Sequence, residues 1–202
     1  MLSMRKLSDC GIQIIGGQIM SRVTLRAEKD DKEIEARKVL MPKCIHGDGT
    51  ITAEEMTEEF LRVPADPKKL AQDGDIIMKL SPPYDAGLVS MDTMDAIVPS
   101  FCAILRSNKK VDPYYLLAFL NSDLCKNQLR MQVSGALMTV LSVGKLGNIE
   151  IPVPSSEKQH AIGSRFVETS RRMAILQKIA ALEAKRNSIV FKELIKDDNG
   201  RE

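Results

Sequence analysis

The chain lacks the spacings that announce a metal centre. Cys10, Cys44, Cys102 and Cys125 lie far apart, no Cys-x-x-Cys pair occurs, and only two histidines, His46 and His160, are present. The pattern argues against zinc and for four reduced, mostly buried thiols in a cytoplasmic protein. No apolar run is long enough to span a bilayer, so no membrane partner is expected. The first residues show no basic region followed by an apolar block, so a secretory signal is not expected. A strong basic excess is also missing. Residues 155–202 carry ten Lys/Arg against seven Asp/Glu, and residues 1–154 carry nineteen against twenty. Any nucleic-acid contact would have to come from a local basic face.

Catalytic signatures are scarce too. Asp73, Asp75 and Lys79 lie close together in sequence, but both aspartates flank Gly74, where a turn would hold them anyway. No serine or cysteine sits in a nucleophile motif. Ser81-Pro82-Pro83-Tyr84 matches the catalytic motif of amino-methyltransferases, in which the aromatic ring stacks on a flipped base. Such enzymes need a glycine-rich loop after a strand for S-adenosylmethionine. The close pair Gly16-Gly17 leads instead into a polar stretch with no convincing helix. The chain therefore reads as a non-enzyme, with no metal and no cofactor.

What is present is a long uninterrupted helix pattern near the C-terminus. Ile151-Pro152-Val153-Pro154 forces extended backbone, and Ser156 with Gln159 matches a capping box. From there to Ile195 no proline intervenes, and the only glycine is Gly163. About 40 residues at ~1.5 Å each give a rod of roughly 60 Å. Ile162, Phe166, Met173, Leu176, Ala180, Val190 and Leu194 fall on a stripe of alternating three- and four-residue steps interrupted at Thr169, Glu183 and Asn187, with Ile175, Ile179, Leu182 and Ile189 as a second row. One partner helix would cover only part of this surface, so pairing with a second chain or several helices is expected.

The first 154 residues read as one α+β domain. The expected strands are Ile12–Ile15, Val39–Ile45 broken by Pro42, Ile76–Leu80 and Ile97–Arg106. Residues 28–38 read as a solvated loop or hairpin edge, and Ala53–Leu61 as a short acidic helix or polar excursion. Asp112-Pro113 opens a helix to Leu120, a second runs from Ser122 to Gln132, Val133–Leu141 is a loop, and Ser142–Leu146 is one helical turn. The expected organisation is thus residues 1–154 as a mixed-strand domain and 155–202 as a spacer or dimerisation helix with a short polar tail, forming a coiled-coil-like pair.

The order of four pieces carries a resemblance. They are Gly74-Asp75-Ile76-Ile77; Asp112-Pro113-Tyr114-Tyr115-Leu116 with Phe119-Leu120-Asn121-Ser122; Ser134-Gly135 through Leu141-Ser142 to Leu146-Gly147-Asn148-Ile149-Glu150-Ile151-Pro152-Val153-Pro154; and Glu157-Lys158-Gln159. Together they resemble the specificity subunit of type I restriction-modification systems, over nearly the whole chain. The resemblance implies a target-recognition domain followed by a long helix, acting on double-stranded DNA beside separate methylation and cleavage subunits. A full-length subunit of that family has two such units, whose helices pair antiparallel while each domain reads half of a bipartite site. One unit here implies a half-subunit pairing with itself or with another half, or a truncated gene product. Two-fold pairing would imply a palindromic site.

Reading base edges needs donors and acceptors on loops, while Lys and Arg grip phosphates. Four loops supply candidates for DNA contact: Lys43 and His46; Lys79, Ser81 and Tyr84; Arg130, Gln132 and Ser134; and Thr139, Ser142 and Lys145. A protein-protein adaptor without DNA binding and a methyltransferase fragment are the competing readings.

Overall fold

The computed structural model describes residues 3–25, 35–107, 110–133 and 140–199, with side chains through residue 192. It divides into two units, Met1–Phe166 and Val167–Glu202. The architecture is α+β: small mixed sheets followed by helices, with a long terminal helix.

A four-stranded antiparallel sheet centres the first unit. It joins β2 (Ile12–Gly16), β7 (Cys102–Ser107), β5 (Ile76–Lys79) and β6 (Ala86–Leu88), in that order. Both faces of the middle strands are buried, which is why they read as continuous apolar runs rather than alternating ones. Ile76, Met78, Ala103 and Leu105 point to one core, while Ile77, Cys102 and Ile104 point to another. The first core is closed by α1 (Pro113–Asn121) and α2 (Asp123–Val133), through Leu116, Leu120, Cys125 and Leu129. All four cysteines are buried and unpaired. Burial pushes the thiols of Cys102 and Cys125 up to about 12.

Helix α1 starts where Asp112-Pro113 predicts. The Asp112 carboxylate accepts from the backbone N–H groups of Tyr114 (2.8 Å) and Tyr115 (3.0 Å), a cap that contributes about 1 kcal/mol. Helix α2 and the short α3 (Val143–Gly147), capped by Ser142, also lie where expected.

Several strands differ from expectation. The acidic stretch is a 3-10 turn at Ala53–Glu55 followed by a strand, β4 (Thr57–Leu61). It pairs with β3 (Glu35–Val39), and the register sets Lys38 opposite Glu58 and Arg37 opposite Glu59. Burial alternates along Thr57–Leu61 with the two-residue period of a strand, which Glu58 and Glu59 obscure in the sequence. The strand expected at Val39–Ile45 therefore lies earlier, because Pro42 opens a 3-10 turn through Cys44. Strand β7 begins only at Cys102, after the turn at Pro99. A short β1 (Ser3–Lys6), unexpected from sequence, pairs with β8 (Glu150–Val153).

The long helix α4 spans Ser156–Asn199 without a break. The anticipated capping box does not operate. Gln159 is buried, and its amide instead accepts from Asp112 N–H (3.0 Å) and donates to the Pro154 carbonyl (3.0 Å). One turn on, Gly163 is seated against α1. A Cβ there would fall 2.7 Å from both Tyr114 Cβ and Tyr115 N, so only glycine fits. Beyond Phe166 the helix is exposed on every side as far as its side chains are described, save Val167 and Ser170, which are half-buried. Among the described residues, no helix is long and apolar enough to cross a membrane.

Candidate nucleic-acid interface

One end of the central sheet gathers most of the candidate contact residues. Strand β5 leaves the sheet where β7 enters it, and Leu80 N–H extends the ladder by donating to the Phe101 carbonyl (2.9 Å). Leu141 N–H donates to Leu80 O (2.7 Å), bringing the segment before α3 to the same end. Ser100 N–H donates to Gln18 O (2.8 Å), adding the segment that follows β2. The last turn of α2 is tied in by Lys145, whose ammonium donates to the Gln132 carbonyl (2.8 Å). Burial raises the Tyr84 phenol, and the Arg130 guanidinium opposes that shift, which places Arg130 near the 81–84 turn.

The sequence pattern behind this end is an absence that the charge totals concealed. Segments 10–27, 76–84, 96–111 and 124–149 contain no Asp or Glu. Carboxylates concentrate instead in 48–75, with Asp48, Glu54, Glu55, Glu58, Glu59, Asp66, Asp73 and Asp75. A near-neutral domain therefore has an end where Arg130 and Lys145 meet little opposing charge. The nearby acid is Asp85, and it is shared by two cations. Lys79 donates to its Oδ2 (3.0 Å) and Lys126 to its Oδ1 (2.8 Å). Burial works against ionisation of Asp85, but the hydrogen bonds and charges of Lys126 and Lys79 outweigh it and hold the carboxyl below its usual value. The trio is left with one net positive charge.

The individual candidates divide. Arg130, Gln132, Ser142 and Lys145 are exposed and close together, and Ser81 is half-buried beside them. Lys43 is exposed on its 3-10 turn. Ser134 and Thr139 lie outside the described residues. Three candidates have other partners. Lys79 is tied to Asp85 and is largely covered. His46 lies 2.9 Å from the Thr52 hydroxyl and 3.9 Å from the Glu55 carboxylate, closing its own turn. Tyr84 is 1% exposed inside the first core, so its ring offers no face to a base and the methyltransferase reading of Ser81–Tyr84 loses its stacking residue. Gly16-Gly17 has a packing reason as well. A Cβ on Gly17 would fall 2.1 Å from the Pro99 carbonyl oxygen.

The motif residues turn out to build the scaffold. Asp75, 2% exposed, receives Arg106 through both carboxylate oxygens (2.8 and 2.7 Å) and also accepts from Gln72 N–H. It is an internal brace rather than a nuclease ligand, and no carboxylate, histidine and cysteine cluster suited to a metal occurs among the described residues. Asn121 acts as a substitute strand for β6, accepting from Ala86 N–H (3.0 Å) and donating to Ala86 O (2.8 Å). Gln128 does the same for Glu150 in β8 (2.9 and 2.8 Å). Side-chain amides suit this task because each carries a donor and an acceptor. No local sequence signal marks them, since their partners are far away in the chain.

On α4, Ile162, Met173, Leu176, Ile179 and Val190 are exposed, as are Ile175, Leu182, Ile189 and Phe191. Ala180 is also exposed, and the side chain of Leu194 lies outside the described residues. Phe166 departs from the expected pairing stripe. It is half-buried against the first core, and a Cβ on Gly49 would fall 2.8 Å from its ring.

Comparison with known proteins gives a consistent picture. The family described as "Type I restriction modification DNA specificity domain" matches residues 51–184. No curated protein sequence matches the chain. Among solved structures, a chain of a type I R-M system, studied for its complex assembly and conformational transition, is 21% identical with a TM-score of 0.61. The HsdS subunit from Thermoanaerobacter tengcongensis is 20% identical with a TM-score of 0.58. Each similarity covers 89% of this chain and 47% of the other, so the chain spans about half the length of these structures.

Proposed function

The chain belongs to the type I restriction-modification DNA specificity domain family, and from that premise we propose that it is a cytoplasmic, non-catalytic reader of double-stranded DNA. The observation that carries this reading is the end of the domain built from acid-free segments. There Arg130 and Lys145 can engage phosphates, while Ser81, Gln132 and Ser142 can engage base edges. On this reading the chain positions separate modification and restriction subunits on one half of a bipartite site. Its helix, apolar over two adjoining rows, pairs with a second copy or a second half-subunit. Pairing of two copies about a two-fold axis makes the site palindromic.

One observation favours a second reading, a protein-protein adaptor without DNA binding. The exposed apolar rows of α4 suit protein contact, and residues 1–154 have no net basic excess. The two readings separate in one experiment. Selection from randomised duplexes by the purified chain should enrich one sequence, with affinity that falls steeply as salt rises. Failure to enrich any sequence, together with salt-independent or absent binding, would favour the adaptor.

A further inference from the structure

The same end of the domain exposes apolar side chains that phosphate gripping does not explain. Phe101 is 59% exposed, Val140 48% and Ile19 39%. They sit on segments joined side by side by the backbone bonds from Ser100 to Gln18, Leu80 to Phe101 and Leu141 to Leu80. Phe101 is also fixed from behind, since the next residue, Cys102, is buried and its N–H donates to the Pro99 carbonyl (2.9 Å). An aromatic ring held out of the core on a backbone this constrained is placed for contact.

The surroundings choose the partner. Ser81, Ser142, Gln132, Arg130 and Lys145 flank these segments, and the segments themselves contain no carboxylate. Such a rim repels little and attracts polyanions. In the major groove the one apolar group on a base edge is the C5-methyl of thymine. We propose that Ile19, Phe101 and Val140 form the part of the interface that reads thymine methyl groups, with Phe101 as its main contact. This rests on the DNA-reading function proposed above and adds the base it selects. It adds an apolar component of discrimination to the hydrogen bonds that Ser81, Gln132 and Ser142 can supply.

The test uses the full chain and a duplex enriched by selection. Replacing thymine with deoxyuridine removes only the methyl group. Binding should weaken about fourfold for each methyl contacted, the factor that corresponds to about 0.8 kcal/mol per buried CH2-sized group. Phe101→Ala should weaken binding to the thymine duplex and abolish the difference between the two duplexes. Phe101→Leu, which keeps an apolar contact, should preserve the difference. With 5-iododeoxyuridine in the site, photocrosslinking should label Phe101. Equal binding of both duplexes by the unaltered chain would overturn the inference while leaving DNA reading intact. So would a Phe101→Ala variant that keeps the uridine penalty. Loss of partner-protein binding but not DNA binding in that variant would assign the patch to protein docking instead. Absence of binding to every duplex would remove the proposed function and this inference together.

Discussion

The two units of this chain treat their apolar residues in opposite ways. In Met1–Phe166 large side chains fill cores on both faces of the central sheet, and Asp75 and Asn121 are matched to partners. In Val167–Glu202 the described helix leaves Met173, Ile175, Leu176, Ile179, Leu182, Ile189, Val190 and Phe191 exposed. Helices in proteins draw most of their stability from packing of an apolar face. The first unit thus carries its own reasons to fold, whereas the described part of the second leaves its apolar rows exposed.

The sharpest way to break this contrast is to unmake the brace of the first unit. Asp75→Ala leaves Arg106 without its carboxylate and Gln72 N–H without its acceptor. Breaking a buried pair by removing one partner costs on the order of 3 kcal/mol, read as a lower denaturant midpoint. Gly163→Ala comes next. Helix propensity alone predicts a gain of about 1 kcal/mol, but crowding against Tyr114 and Tyr115 at 2.7 Å predicts a net loss of about 1 kcal/mol in the same assay.

Acid should act on the first unit through Asp85. Its folded-state pKa is held down, so the stability it adds is complete above its unfolded value of about 4 and disappears as pH falls through the folded value. The stability of the unaltered chain should therefore fall more steeply below pH 4 than that of Asp85→Asn. The smallest effect on folding belongs to the second unit. Leu176→Asp with Leu182→Asp should change the main unfolding transition by less than about 0.5 kcal/mol. Light scattering should nevertheless show the loss of a dimer of about twice 22.4 kDa. A monomeric parent chain would argue against self-pairing.

What the sequence made legible follows the same division. Local signals placed α1 by Asp112-Pro113, α3 by Ser142, β5 by its apolar run and α4 by its uninterrupted pattern. Strand β4 was missed because Glu58 and Glu59 obscure the two-residue period that pairing with β3 imposes. Lys79, His46 and Tyr84 looked available because polar or amphipathic residues near turns often are, yet partners six residues on hold the first two and core burial holds the third. The braces at Asp75, Asn121 and Gln128 depend on long-range contacts that composition does not carry. The acid-free segments were present in the sequence all along, but their meaning required the fold that brings them to one end.

The most direct test of that end as the DNA reader is the salt dependence of duplex binding in paired variants. Arg130→Ala and Lys145→Ala should each weaken binding and reduce the slope of log affinity against log salt by about 1. Glu58→Gln and Glu59→Gln, on the carboxylate-rich hairpin, should leave the slope unchanged. Equal slopes in all four variants would contradict the assignment of DNA to the end that carries Arg130 and Lys145.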